Sequence, residues 1–306
     1  MELLRILEGM RAPFLDAVFG LITHLGEETI AMVVICVFFW CINKRTAYII
    51  GIAYFLSGLT VQVMKICFRI ERPWVIDPAF RPVQSAIGNA TGYSFPSGHT
   101  QSATTLFCSL GAQTKRKPLK AACLLAAILV AFSRMYLGVH TLLDVAAAFF
   151  MSLLFVFLTV KTLADDSGNR KRDLVLALFM VVYSCAAIAI AMSSFYGGRI
   201  EQVYLSDSLK AAGAGIGFAA GMYIERIYIN FSVSAKNVLW QVLKFVLGIA
   251  GVLLIKEGLK LVLGDSLAVD TVRYFLIVIW VTVLFPLIIR RFFETKAGQE
   301  KEQKTQ

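Results

Sequence analysis

The sequence is poor in charged residues. Only 16% of its 306 residues are Asp, Glu, Lys or Arg, whereas 58% are hydrophobic and the mean hydropathy is +0.72. Soluble globular domains carry about 25% charged residues, so the composition excludes an ordinary soluble domain. Histidine is also scarce, with three in the whole chain. A histidine that stands among other polar residues is therefore a candidate for chemistry.

Several familiar patterns are absent. The apolar runs are continuous instead of alternating, which argues against a transmembrane β-barrel. Residues 2–25 lack the n-region and cleavage site of a signal peptide. The cysteines show neither C-x-x-C metal spacing nor a disulfide framework, and nearly all lie inside apolar runs as small packing residues. The six are Cys36, Cys41, Cys67, Cys108, Cys123 and Cys185.

Long apolar runs fill most of the chain. A helix needs about 20 largely apolar residues to cross a bilayer, and helices satisfy their own backbone polar groups in lipid. The sequence therefore predicts an all-α polytopic membrane bundle. Residues 1–25 mix charged and apolar residues and predict an amphipathic helix at the membrane surface, with a short polar span as the alternative. The predicted spans are 29–43, 46–68, 98–114, 119–137, 141–162, 173–193, 208–226, 237–255 and 271–290.

The net charge of +10 follows from membrane topology. Lys and Arg concentrate in the loops on one side of the predicted bundle, around residues 44–45, 115–120, 161–172 and 226–236, and in the tail after 290. By the positive-inside rule this side is cytoplasmic. We therefore expect no nucleic-acid partner, a cytoplasmic C-terminus, and an outside N-terminus and 69–97 loop. A bacterial plasma (inner) membrane is the expected location.

Three groups of polar residues fall at the outer ends of predicted spans. The first is Lys65 with Arg72, followed by Pro73. If the helix of the second span continues to Arg72, the two cations lie two turns apart on one face and can hold an anion. Snorkelling of two basic side chains at a helix end is the alternative.

The second group is Pro96-Ser97-Gly98-His99, where the third span begins. A helix N-terminus offers unpaired backbone N–H groups and the positive end of the helix dipole. Ser97 can cap the helix, and Gly98 lets a ligand approach the backbone closely. The pattern indicates an anion site beside His99. The alternative is a serine that only caps the helix, with a histidine next to it by chance.

The third group is Arg134, His140 and Asp144, at the end of the fourth span and the start of the fifth. Four residues separate His140 from Asp144, which places them on one face of a helix. A carboxylate bonded to one imidazole nitrogen leaves the other free to attack. A plain helix-capping pair is the alternative. All three groups lie on the same predicted membrane face.

The ordered set resembles the PAP2 superfamily, the type 2 phosphatidic acid phosphatases. The family pattern is K-x6-R-P, P-S-G-H and S-R-x5-H-x3-D, and residues 65–144 match all three pieces. The resemblance implies a PAP2-like catalytic membrane core at 26–165. Additional transmembrane helices follow at 166–294, about four in number, and then a disordered cytoplasmic tail at 295–306.

The resemblance also implies a metal-independent phosphatase that needs no cofactor. His140 would attack phosphorus and form a phosphohistidine, Asp144 would orient it, and His99 would protonate the leaving oxygen and then activate water. The loop between the second and third spans holds only two acids and no carboxylate cluster, so we expect chelator-resistant activity. The groups expected to hold the phosphoryl oxygens are Lys65, Arg72, Arg134, Ser97 and the N–H of Gly98.

The predicted substrate is a lipid phosphate or diphosphate at the membrane surface, such as undecaprenyl diphosphate, phosphatidylglycerophosphate or phosphatidate. Aromatic residues of the 74–95 loop would form an interfacial lid over it. A lipid-linked phosphotransferase is an alternative, since both reactions pass through the same intermediate. A transporter or flippase is another, although no matched pair of broken helices supports it. The spacing of Gly213, Gly217 and Gly221 predicts close helix packing within the chain or a homodimer.

Overall fold

The computed structural model describes residues 1–88, 90–164, 169–264 and 266–294. Every regular element in these ranges is a helix, so the predicted all-α fold class is confirmed. The predicted tail at 295–306 lies outside the described residues. The helices are α1 Glu2–Gly9, α2 Pro13–His24, α3 Glu28–Val37, α4 Lys44–Phe68, α5 Pro73–Ile76, α6 Gln84–Ile87, α7 Gly98–Gln113, α8 Lys117–Tyr136, α9 Leu142–Thr162, α10 Arg170–Tyr196, α11 Gln202–Ile224, α12 Val238–Leu263, α13 Leu267–Ile279 and α14 Phe285–Phe292.

Three π-helical turns extend or join these helices. Phe38–Ile42 continues α3, Glu225–Ile229 continues α11, and Trp280–Leu284 joins α13 to α14. Among the residues that the structure describes, six segments are long and apolar enough to cross a membrane. A seventh would be α2 together with Glu28–Ile42, a pair bent by 45°. The six are Lys44–Ile76, Lys117–Tyr136, Leu142–Thr162, Arg170–Tyr196, Val238–Leu263 and Leu267–Phe292. The structure thus supports an integral membrane protein.

Three of the nine predicted spans do not meet this criterion by themselves, and one of them, 29–43, meets it only together with α2. The predicted spans 98–114 and 208–226 correspond to α7, which has 16 residues, and α11, which is rich in Gly, Ala and Ser. Both helices are buried along most of their length. A helix surrounded by protein does not need an apolar surface for lipid, so polar and small residues are tolerated there.

One compact unit comprises residues 1–33 and 52–161. It contains all three motifs, and it also contains the N-terminal residues that the sequence analysis set apart. Those residues form two helices where one was expected, because Pro13 begins α2 after a break at residues 10–12. Both α1 and α2 pack against α8.

The second compact unit comprises residues 34–51 and the described residues from 162 onward. Its centre is α11, which packs against α10 and α13. A Cβ at Gly213 would lie 2.5 Å from the carbonyl oxygen of Thr271, and one at Gly217 would lie 2.9 Å from that of Phe275. The glycine seam is therefore occupied by α13 of the same chain.

Candidate active site

The end of α4 separates Lys65 from Arg72. The helix ends at Phe68, and Arg69 adopts a positive φ of 50°. Arg72 itself is extended, with φ −68° and ψ 152°, as the following proline demands. The condition that the helix continues to Arg72 is therefore not met, and the two cations lie on different segments.

Arg72 is a buried hub that joins two loops. Its guanidinium donates to the carbonyl oxygens of Gly92 at 2.8 Å, Thr91 at 2.7 Å and Val139 at 2.9 Å. Its Nη1 also lies 3.0 Å from Nε2 of His140. The same Nη1 lies 3.5 Å from Nδ1 of the ring. Because a guanidinium only donates, the nearer Nε2 is the nitrogen placed to accept, which fits the tautomer with its proton on Nδ1.

The other side of the His140 ring faces Asp144. The Nδ1 of His140 lies 3.6 Å from Oδ2 of Asp144 and 3.5 Å from the hydroxyl of Ser94. Oδ2 accepts shorter bonds from the Ser94 hydroxyl at 2.6 Å and from the backbone N–H of Thr141 at 2.7 Å. Both His140 and Asp144 are almost fully buried. Ser94 and Thr141 thus fix the carboxylate, which in turn faces the imidazole.

The charge around His140 is positive. Burial, reinforced by the positive charges of Arg72, Arg134 and Lys65, lowers the pKa of His140 well below its ordinary value of 6.5. The imidazole in the turn between α8 and α9 is therefore neutral at physiological pH. Lys65 and His99 both act on the pKa of His140 in this direction.

Ser97 caps α7 as the sequence predicts. Its hydroxyl oxygen accepts from the N–H of Thr100 at 3.4 Å and from the Thr100 hydroxyl at 3.0 Å. Its own N–H donates to the carbonyl oxygen of Asp144 at 3.1 Å. This main-chain bond holds the start of α7 against the start of α9. A Cβ at Gly98 would meet no atom within 4 Å, so open space lies above the first residue of the helix.

Arg134 lies in the last turn of α8 and is 1% exposed. Its Nη1 donates to the hydroxyl of Thr23 at 2.7 Å. Its Nε is buried and has no hydrogen-bond partner within the described part of the chain. A buried donor without a hydrogen-bond partner costs free energy, so a phosphoryl oxygen that accepts from this Nε would be stabilised here.

The N-terminal segment also contacts His99. A Cβ at Gly26 would lie 2.8 Å from the carbonyl oxygen of His99 and 3.1 Å from its Cβ, so only glycine fits this approach. No sequence motif predicts Thr23, Ser94 or Thr141 as site residues. Ser94 stands three residues before Ser97, but a lone serine in a loop carries no recognisable signal.

The aromatic lid expected in the 74–95 loop is exposed only in part, since Trp74 and Tyr93 are partly exposed. Phe80 and Phe95 are buried, and Phe80 packs against Leu4 and Leu7 of α1. The large apolar side chains exposed in this region are Val75 and Ile76. Aromatic character alone did not distinguish a lipid-facing side chain from a core one.

No group of three His, Cys, Asp or Glu side chains is arranged to hold a metal ion among residues 1–88, 90–164, 169–264 and 266–294. The chelator resistance expected from the sequence stays a prediction.

Two family models match this chain. The model of the PAP2 superfamily matches residues 46–167, and one described as PAP2 superfamily phosphatase, transmembrane extension, matches residues 209–297. The chain belongs to the PAP2 superfamily. The first match contains all eight predicted site residues of this PAP2 phosphatase. The second contains the glycine seam of α11 and the helices after it.

Two individual proteins are similar to this chain, each over about half of its length. The chain is 27% identical over 169 residues to phosphatidylglycerophosphatase B of Bacillus subtilis (strain 168), an alignment that covers 49% of this chain and 75% of that protein. Among solved structures it is similar to the crystal structure of Aquifex aeolicus LpxE, with 26% identity and a TM-score of 0.46, over 52% of this chain and 93% of that one.

Proposed function

We propose that this PAP2 phosphatase hydrolyses a lipid phosphate or diphosphate, without a metal or cofactor, through a phosphohistidine on His140. The observation that carries the proposal is the arrangement around that ring. A neutral imidazole has Asp144 on its Nδ1 side and the Arg72 guanidinium 3.0 Å from Nε2. Nε2 is thus the proposed nucleophilic nitrogen, and the Arg72 guanidinium beside it is a group that can bind an anion.

In the first step, Nε2 of His140 attacks phosphorus, and the bond from phosphorus to the leaving oxygen breaks as the N–P bond forms. His99 donates a proton to that oxygen, so the lipid leaves as a neutral alcohol or a less charged phosphate. Asp144 stabilises the positive charge that develops on the imidazole. Arg72, released from Nε2 by the incoming phosphoryl group, is in position to bind its oxygens.

In the second step, His99 takes a proton from water, and the water oxygen attacks phosphorus. The N–P bond breaks, inorganic phosphate leaves, and His140 returns to its neutral form. His99 thus serves as acid in the first step and as base in the second, two roles that one imidazole can fill.

The phosphoryl oxygens need donors on several sides. The buried Nε of Arg134 has no hydrogen-bond partner among the described residues, and a Cβ at Gly98, at the N-terminus of α7, would meet no atom within 4 Å. Together with Ser97, Arg72 and Lys65, these groups form the proposed cradle, which supplies positive charge where negative charge develops.

The substrate proposal is a membrane lipid. The chain is an integral membrane protein, and the relative named phosphatidylglycerophosphatase B makes phosphatidylglycerophosphate the first lipid to test. Undecaprenyl diphosphate and phosphatidate are the other candidates. The distribution of Lys and Arg supports a plasma-membrane protein with the site on the outer face, the N-terminus outside and the C-terminus in the cytoplasm.

The proposed organisation keeps the catalytic core at 26–165 and the additional helices at 166–294, with 1–25 at the membrane interface. If the protein forms a homodimer, the contact needs a surface other than the glycine seam, because α13 of the same chain covers it.

The test is phosphate release by the purified protein in detergent with EDTA present. Wild type should release phosphate from at least one of the three lipids, and His140→Ala should release none. With radiolabelled lipid, His99→Ala should accumulate an acid-labile phosphoprotein that His140→Ala does not form. Release that stops with EDTA, or a labelled His140→Ala protein, would contradict the proposed mechanism. Transfer of label to an added alcohol with little free phosphate would indicate a phosphotransferase.

A further inference from the structure

The PAP2 superfamily match begins at residue 46, yet residues before it contact the site. Thr23, the penultimate residue of α2, is 7% exposed and accepts the hydrogen bond from Nη1 of Arg134 at 2.7 Å. The two residues are 111 positions apart in sequence. A contact of this kind leaves no local pattern from which sequence analysis could infer it.

One face of α2 is fitted to α8. Asp16 accepts from the hydroxyl of Tyr136 at 2.8 Å, and the Phe19 ring lies 4.3 Å from the Tyr136 ring and 5.4 Å from that of Phe132. Positions 16, 19 and 23 follow the i, i+3, i+7 spacing of one helical face. The bond from Thr23 to Arg134 is therefore the last in a row of contacts along the same face.

The chain before α2 is anchored as well. Arg11 donates through Nε to the carbonyl oxygen of Tyr136 at 3.1 Å and through Nη1 to that of Arg81. Arg5 pairs with Asp77 at 2.5 Å. These contacts hold the N-terminal segment against the 77–81 loop and the end of α8. Thr23 consequently has a defined position relative to Arg134.

We propose that Thr23 is a positioning residue for the phosphatase reaction, which acts by fixing the guanidinium of Arg134. The inference rests on the proposed anion-holding role of Arg134. The hydroxyl of Thr23 occupies Nη1, which fixes the plane of the guanidinium and leaves the buried, unpartnered Nε to bind a phosphoryl oxygen. An arginine restrained in this way loses less conformational freedom when the phosphoryl group binds.

The test replaces only the accepting oxygen. Thr23→Val keeps the shape of the side chain and removes the acceptor, whereas Thr23→Ser keeps the acceptor. Thr271→Val is the matched control, because the Thr271 hydroxyl donates to the carbonyl oxygen of Leu267 in its own helix. Binding of orthovanadate, an analogue of phosphate, is measured on each purified protein, beside kcat and KM for phosphate release from phosphatidylglycerophosphate.

Thr23→Val should weaken orthovanadate binding and lower kcat/KM by about ten- to a hundredfold, the range for losing a hydrogen bond to a buried charge. Thr23→Ser should stay within about threefold of wild type, as should Thr271→Val. In an Arg134→Ala background, Thr23→Val should have little further effect on binding, because the group it positions is gone.

Unchanged orthovanadate binding by folded Thr23→Val would overturn the inference. So would a loss that Thr23→Ser shares, an equal loss in the Arg134→Ala background, or a wild type that binds no orthovanadate. A wild type that binds orthovanadate but releases no phosphate from any lipid would instead refute the proposed reaction. The Thr23 comparison would then be decided by binding alone.

Discussion

Ser94 gives a direct test of how the proposed catalytic carboxylate is held. Its hydroxyl is fully buried and donates to Oδ2 of Asp144 at 2.6 Å, beside the N–H of Thr141 at 2.7 Å. Ser94→Ala removes one of these two bonds and leaves the other. A hydrogen bond to a buried charged group contributes about 1.5–3 kcal/mol, and about 1.4 kcal/mol corresponds to a tenfold change in rate.

If the lost bond is felt mainly in the transition state, when the imidazole becomes positive, kcat should fall by about ten- to a hundredfold. KM should change little, because Ser94 contacts Asp144 and not the expected position of the substrate. The assay is phosphate release from the best lipid substrate, with gel filtration and thermal unfolding to verify folding.

Ser109→Ala is the matched control for Ser94→Ala. Ser109 is also fully buried, but its hydroxyl has no hydrogen-bond partner in the part of the chain that the structure describes. Its removal should leave kcat unchanged. The reasoning fails if folded Ser94→Ala keeps kcat within about twofold of wild type, or if Ser109→Ala loses as much.

Two further predictions concern the cradle and the nucleophile. Gly98→Ala should fold with unchanged or slightly higher thermal stability, because its methyl group meets no atom within 4 Å and alanine favours a helix. The variant should nevertheless raise the inhibition constant for orthovanadate. Equal inhibition of wild type and variant would contradict the binding of a phosphate next to this residue. Since burial and nearby cations lower the pKa of His140, its proton binds only at pH values well below 6.5. The loss of kcat/KM caused by protonating the nucleophile should therefore occur below that pH, and an acid limb of the wild-type profile centred near 6.5 would contradict the lowered pKa.

The motifs could be predicted from the sequence because each one is local. Ser97 caps the helix that starts at Gly98, and the spacing of His140 and Asp144 brings their side chains together. Their ordered combination was enough to indicate the superfamily. The long apolar runs likewise indicated helices, since backbone groups in lipid must be satisfied within the segment.

Other features depend on tertiary contacts that no local pattern records. Helix α4 ends before Arg72, and Arg69 adopts a left-handed conformation. Position 69 is neither glycine nor proline, so the sequence gives no local signal for this break. Thr23 and Ser94 become site residues only through partners 111 and 50 positions away. The burial of Phe80 depends on helix α1, which the sequence analysis placed at the membrane surface.

The hydrogen bond between the N–H of Ser97 and the carbonyl oxygen of Asp144 has a consequence for mutational scanning. Both atoms belong to the main chain, so replacement of either side chain by alanine leaves the bond in place. A scan of side chains would therefore make the two histidine motifs look more independent than they are. Insertions or deletions between residues 69 and 97 would reveal the coupling between the two motifs, because they change the position of the Ser97 N–H relative to the carbonyl oxygen of Asp144.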